Sequence, residues 1–168
     1  MNIFFLDKDP VTAASYHCDK HVPKMIIETV QMMVSAARRH GATDRDVPTT
    51  QKGTPHKGGY HRHPCTVWVG DNYGNYRWCL ELLYGLLAEF SDRYGKDHFA
   101  MTQLSDLEYL EHFIPEVTPG ITTPAQAMPD EYKHDDAVVA YRTYYREDKA
   151  TNDWFKYERG VDAPKFLK

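Results

Sequence analysis

Residues 9–41 read DPVTAASYHCDKHVPKMIIETVQMMVSAARRHG. The stretch opens on Asp9-Pro10, an N-cap followed by proline at the first helical position, where the missing N–H would have no partner anyway. Apolar residues then recur near helical spacing at Val11, Ala14, Cys18, Val22, Met25, Ile26, Met33 and Ala37. Gly41 closes the segment as a C-cap. Pro23 interrupts the run and predicts either a kink or two consecutive helices.

Outward from this stretch the punctuation is equally clear. Residues 2–6, Asn-Ile-Phe-Phe-Leu, are short and apolar, either a strand or a buried N-terminal arm. Residues 42–64 are polar and rich in Gly, Pro, Thr and His, a long loop of the kind that often carries function. Cys65–Val69 is a short apolar run, and Gly70-Asp71-Asn72 is a break and a possible new cap. Tyr73 to Tyr94 has a strong helical pattern, with Tyr76, Leu80, Leu83, Leu86, Leu87 and Phe90 apolar, and Gly95 ends it. A shorter helix is expected over 97–113. Pro115, Pro119, Pro124 and Pro129 forbid regular structure over 114–134. Asp135 or Asp136 caps a last helix to about Ala150, and a tail holding Trp154-Phe155-Lys156-Tyr157 follows. The expected fold is all-α: one domain over residues 1–168, about four helices, a short N-terminal arm and a proline-rich crossing before the last helix.

Composition narrows the function. At 168 residues and 42% apolar content the chain suits a single folded domain. Its three cysteines, Cys18, Cys65 and Cys79, lack CxxC spacing, which argues for a reducing compartment and against disulfides or a zinc ribbon. No run approaches the roughly 18 apolar residues of a membrane span, and the start shows neither a basic n-region nor a cleavage site. A cytoplasmic location, without membrane attachment, is expected. The net charge of −4 means that binding to nucleic acid would need a local basic patch.

Three constellations carry chemistry. His17, His21, Lys24, Glu28 and Gln31 are spaced 4, 3, 4 and 3, which stacks them on one helix face. Such a face can be plain solvated surface. A Lys and a Glu one turn apart can also serve as amine nucleophile and acid–base partner. His61-Arg62-His63, with His56 nearby, suits a phosphate or metal contact, or an ordinary polar loop. His17 and His21 could join His61 and His63 around zinc, although the spacing matches no standard zinc motif. Tyr132, Lys133, Tyr141, Arg142, Tyr144, Tyr145, Arg146, Trp154, Lys156 and Tyr157 interleave aromatic and basic groups, as base stacking and phosphate contact require. Tyr141, Tyr144 and Tyr145 would serve equally well as core packing. No P-loop, GxGxxG or GxSxG is present.

Two resemblances follow. The opening MNIFFLDKDP…YHCDKHVPKMIIETVQ and the segment HPCTVWVGDNYGNYRWCLELLYGLLAEFSDRYGK resemble, over the whole chain, a family of small tailed-phage proteins. The order of elements resembles the pyrimidine-dimer DNA glycosylases of the phage endonuclease V type. The matching pieces are Asn2-Ile3 with Ala13, Ala14 and His17; His63 to Gly95, ending AEFSDRYG; and MPDEYKHDDA with WFKYERG. That resemblance implies DNA repair by base excision. An amine attacks the sugar carbon bearing the base, and a carboxylate on the first long helix supports the developing charge. An imine forms, and the lesion is reached by base flipping. The family's amine is the N-terminus of a small residue exposed by methionine removal, whereas residue 2 here is Asn2, before which methionine is retained. Pro23 or Lys24 falls near the family's catalytic Glu, and Glu28 lies one turn further on.

The leading expectation is therefore an enzyme acting on a nucleobase–sugar bond in DNA or a nucleotide, without cofactor or metal. Lys24 or the Met1 amine is the nucleophile, Glu28 the acid–base partner, and His21 and His17 orient the substrate. Asn2, Arg62, His63, Trp154, Lys156 and Tyr157 complete its binding surface. The alternatives are a metal-dependent hydrolase using His17, His21, His61 and His63, and a non-catalytic phage accessory protein that binds a host protein or nucleotide.

Overall fold

The computed structural model describes residues 1–168. It contains six α-helices and no strands: α1 Pro10–Ser15, α2 His21–Arg39, α3 Pro64–Asp71, α4 Tyr73–Tyr94, α5 Leu104–Tyr109 and α6 Ala137–Glu147, with short 3-10 turns between them. α4 is the spine, and α1, α2 and α3 all pack on it. A single cluster of 37 buried apolar residues joins them. No helix is long and apolar enough to cross a membrane.

The capping residues do what their chemistry dictates. Asp9 Oδ1 accepts from the Thr12 N–H at 2.7 Å, and Asp136 accepts from Val138 and Val139. Gly95 ends α4 in the left-handed region at φ 65°. Residues 2–6 form a buried arm.

The opening segment is two helices, and its break precedes Pro23. Residues 16–20 turn between Ser15 and His21, so Pro23 falls in the first turn of α2. Placed deeper in a continuous helix, Pro23 would leave the Asp19 carbonyl without its N–H donor and clash with it. Here the Tyr94 hydroxyl donates to that carbonyl at 2.7 Å. His17 therefore lies outside α2, and the five-residue stripe expected on one helix is shortened to His21, Lys24, Glu28 and Gln31.

The proline-rich crossing has no ladder of its own, so asparagines satisfy its backbone. Asn72 accepts from the Val117 and Thr118 N–H groups and donates to the carbonyls of Thr118 and Gly120. Asn75 accepts from the Thr122 N–H and donates to the Thr122 hydroxyl. The crossing runs so close to α4 that a Cβ on Gly74 would lie 1.8 Å from the Gly120 oxygen.

Candidate functional site: an amine and a carboxylate on α2

The arm ends on the Glu28 carboxylate. Asn2 is 6% exposed; its Oδ1 accepts from the Ile3 and Phe4 N–H groups, and its Nδ2 donates to the Ala127 carbonyl. With the arm pinned this way, the Asn2 N–H donates to Glu28 Oε2 at 3.0 Å, and the Met1 ammonium lies 3.5 Å from Oε1. The Met1 side chain is 1% exposed although the residue as a whole is only partly buried. The thioether is the anchor, and what reaches solvent is the main chain that carries the amine. Lys24 Nζ sits 3.7 Å from the same Oε1 with a half-exposed side chain. Glu28 thus gathers two amines and one backbone N–H.

The long loop supplies the other wall. Ser35 Oγ, two turns along α2, donates to the Gly59 carbonyl at 3.0 Å and accepts from its N–H at 2.8 Å. A Cβ at Gly58 would fall 2.3 Å from that oxygen, and φ there is 74°, so glycine suits the crossing on both counts. The chain then passes Tyr60, His61 and Arg62 to His63, which caps α3: its Nδ1 accepts from the Cys65 N–H at 3.2 Å. When neutral, His63 therefore carries its proton on Nε2. Burial and the Met1 ammonium lower its pKa below 6.5, while Glu28 opposes them.

The nucleophiles of this region can be sorted. Burial lifts the Cys65 thiol to about 11, so it stays protonated and inert. The primary amines of Met1 and Lys24 remain, each beside a carboxylate able to accept a proton. An amine so placed can attack an electrophilic carbon and form an imine.

Other residues singled out by the sequence lie elsewhere. His17 and His21 are inside the core. His17 donates from Nδ1 to the Ala13 carbonyl at 2.8 Å, and its Nε2 is buried without a partner. The His21 ring stacks on Phe4 at 4.8 Å, and its Nδ1 meets the Tyr145 hydroxyl at 2.9 Å. Burial pushes their pKa values down to about 4 and about 2, so both rings are neutral at pH 7. They position the arm through Phe4, and neither is open to solvent as a substrate-orienting group would be. Asn2 is likewise occupied inside the structure.

The tail docks on residues 16–21. Trp154 packs on His21 at 5.1 Å, the Tyr157 hydroxyl donates to the Tyr16 carbonyl at 2.6 Å, and exposed Lys156 pairs with Glu158 at 3.4 Å. Tyr141 and Tyr145 are core residues. No three His, Cys, Asp or Glu side chains converge as a metal site, so His17, His21, His61 and His63 do not assemble into the zinc centre entertained above.

Sequence reading singled out Met1, Glu28, Lys24, His63 and Arg62. It missed Tyr60 and the Ser35 clamp; the Gly58-Gly59 pair beside Tyr60 was the available signal. Searches of protein-family models, characterised proteins and solved structures gave no match to the chain.

Proposed function

We propose that this protein is a base-excision enzyme of the DNA glycosylase/lyase kind, with the Met1 α-amine as nucleophile and Glu28 as its proton acceptor and charge stabiliser. One observation carries this reading: the α-amine of a partly exposed residue is held on a largely buried carboxylate by an arm that is itself packed and hydrogen-bonded in place. The resemblance in element order to endonuclease V-type glycosylases supports the same chemistry, with Met1 standing where that family uses the residue exposed by methionine removal.

The ammonium gives a proton to Glu28, and the free amine attacks C1′ of the target nucleoside. The C1′–N bond breaks, and the base leaves with the bonding pair and takes a proton from solvent. The ring oxygen is protonated as the sugar opens, leaving a protonated imine between Met1 and C1′. Loss of a C2′ proton expels the 3′ phosphate, and water then releases the amine. Glu28 gives its proton to the ring oxygen, and its carboxylate then offsets the positive charge on C1′ and nitrogen of the imine. Neutral His63 offers an Nε2–H to the leaving base or a phosphate, and Arg62 and Lys24 face the polyanion. A phage-encoded protein working in the host cytoplasm fits this reading.

The test is borohydride trapping on a duplex with one abasic site. Wild type and Lys24→Ala should give a covalent adduct, whereas a variant with an N-terminal extension should give none. An adduct lost in Lys24→Ala and kept in the extended variant would move the nucleophile to Lys24. No adduct from wild type would overturn the reading. Intact mass should show Met1 retained with a free amine.

A further inference from the structure

Two residues other than glycine sit at positive φ, Phe4 at 38° and Tyr60 at 52°. Both belong to the segments that build the amine site. Packing accounts for Phe4: it is 2% exposed and surrounded by His21, Tyr144 and Tyr145. No packing or hydrogen bond of its side chain accounts for Tyr60. It is 66% exposed, its hydroxyl has no hydrogen-bond partner, and no ring packs on it. A bulky side chain is disfavoured in the left-handed region, where glycine would sit freely.

The backbone on either side dictates this conformation. Ser35 clamps Gly59, and the His63 N–H donates to the Tyr60 carbonyl at 2.9 Å. The ring is thus held out over a shallow depression lined by Tyr60, His61, Arg62 and His63. No carboxylate lines it, and the exposed Arg62 guanidinium has no acidic partner. An aromatic face beside an unpaired cation suits a nucleobase joined to a phosphate. Gly59 rests on Gln31 and the Met1 amine rests on Glu28. Glu28 and Gln31 are i,i+3 neighbours on one face of α2, so the depression adjoins the amine.

We infer that Tyr60 is the stacking platform for the base next to the nucleotide attacked by the Met1 amine, with Arg62 on the phosphate between them. This rests on the base-excision reading and narrows its substrate to a nucleic-acid strand with an unpaired neighbouring base. A mononucleotide at the amine would leave Tyr60 and Arg62 idle.

The probe is an oligonucleotide carrying a tetrahydrofuran abasic analogue, which cannot form an imine, flanked by 2-aminopurine. Wild type should bind it and quench the 2-aminopurine by stacking. Tyr60→Phe should bind within about twofold, because the ring is kept. Tyr60→Gly should bind about 5- to 100-fold more weakly and lose the quench. Its Tm should hold or rise by about 2–4 °C as the backbone relaxes. Unchanged binding by Tyr60→Gly overturns the inference, as does a large fall in its Tm, which would make the ring structural. A mononucleotide competing as well as the oligonucleotide overturns the strand assignment. Borohydride trapping separates the two claims. Trapping with Tyr60-independent binding defeats the platform alone, and Tyr60-dependent binding without trapping defeats the amine alone. No binding by wild type defeats both.

Discussion

Asn2→Leu tests how the site is built. The two side chains have the same heavy-atom count and branching, leucine being the bulkier, and leucine is large enough for methionine to be retained before it. The exchange strips the acceptor from the Ile3 and Phe4 N–H groups, bonded at 2.8 and 3.1 Å, and the donor from the Ala127 carbonyl at 2.9 Å. Ile3 and Phe4 are 0% and 2% exposed, so water cannot replace the lost partner. Each orphaned buried group costs about 1–3 kcal/mol. Some apolar burial is regained, so a net loss of about 2–4 kcal/mol is expected, or a Tm lower by about 5–15 °C for a chain of this size. Urea and thermal unfolding followed by circular dichroism measure this directly. Hydrogen exchange should show residues 1–6 opening first, and the trapped adduct should fall more steeply than global stability, because the Asn2 N–H leaves Glu28 with the arm. A Tm within about 1 °C of wild type, with unaltered exchange in the arm, would refute the claim that Asn2 positions the amine.

Glu28→Gln should fold normally and lower base release by about 10²–10⁴-fold; activity within threefold of wild type would remove Glu28 from the chemistry. In the same variant the His63 titration, followed by NMR, should move further below 6.5, since the charge that raises its pKa is gone while the ammonium that lowers it stays. A shift upward would contradict the placement of both groups. Lys24→Ala, which loses one half-exposed i,i+4 contact at 3.7 Å, should change stability by less than about 0.5 kcal/mol, read from the urea midpoint. Stability should also fall between pH 6.5 and 5. Unfolded His17 and His21 take up protons around their ordinary 6.5, whereas folded they do so only at about 4 and about 2. The unfolded chain therefore binds more protons in this window, and each ring costs up to about 1.4 kcal/mol per pH unit. A flat urea midpoint between pH 7 and 5 would show that the rings are not buried as described.

The sequence by itself determined the all-α class and most helix ends, because these are local events. A cap at Asp9 or Asp136, a left-handed glycine at 95, or a proline that lacks an N–H acts on its immediate neighbours whatever the rest of the chain does. It also placed Lys24, Glu28 and Gln31 on one face of α2, since that spacing lies within a single helix. It could not place the break at residues 16–20. Cys18 in the turn and Val22 beyond it are both buried, so apolar periodicity runs through it, and donors more than 70 residues away, Arg93 on the Ser15 and His17 carbonyls and Tyr94 on that of Asp19, let the chain turn there. The polarity of His17 and His21 suggested a working surface. Phe4 and Tyr145 bury them, and that follows from packing between distant segments. The amine site has the same origin. Met1, Glu28 and His63 lie 27 to 62 positions apart in the chain, and no local preference brings them together. Asn2, the Ser35 clamp and the close passage at Gly58 do so through tertiary hydrogen bonds, which a one-dimensional pattern does not encode.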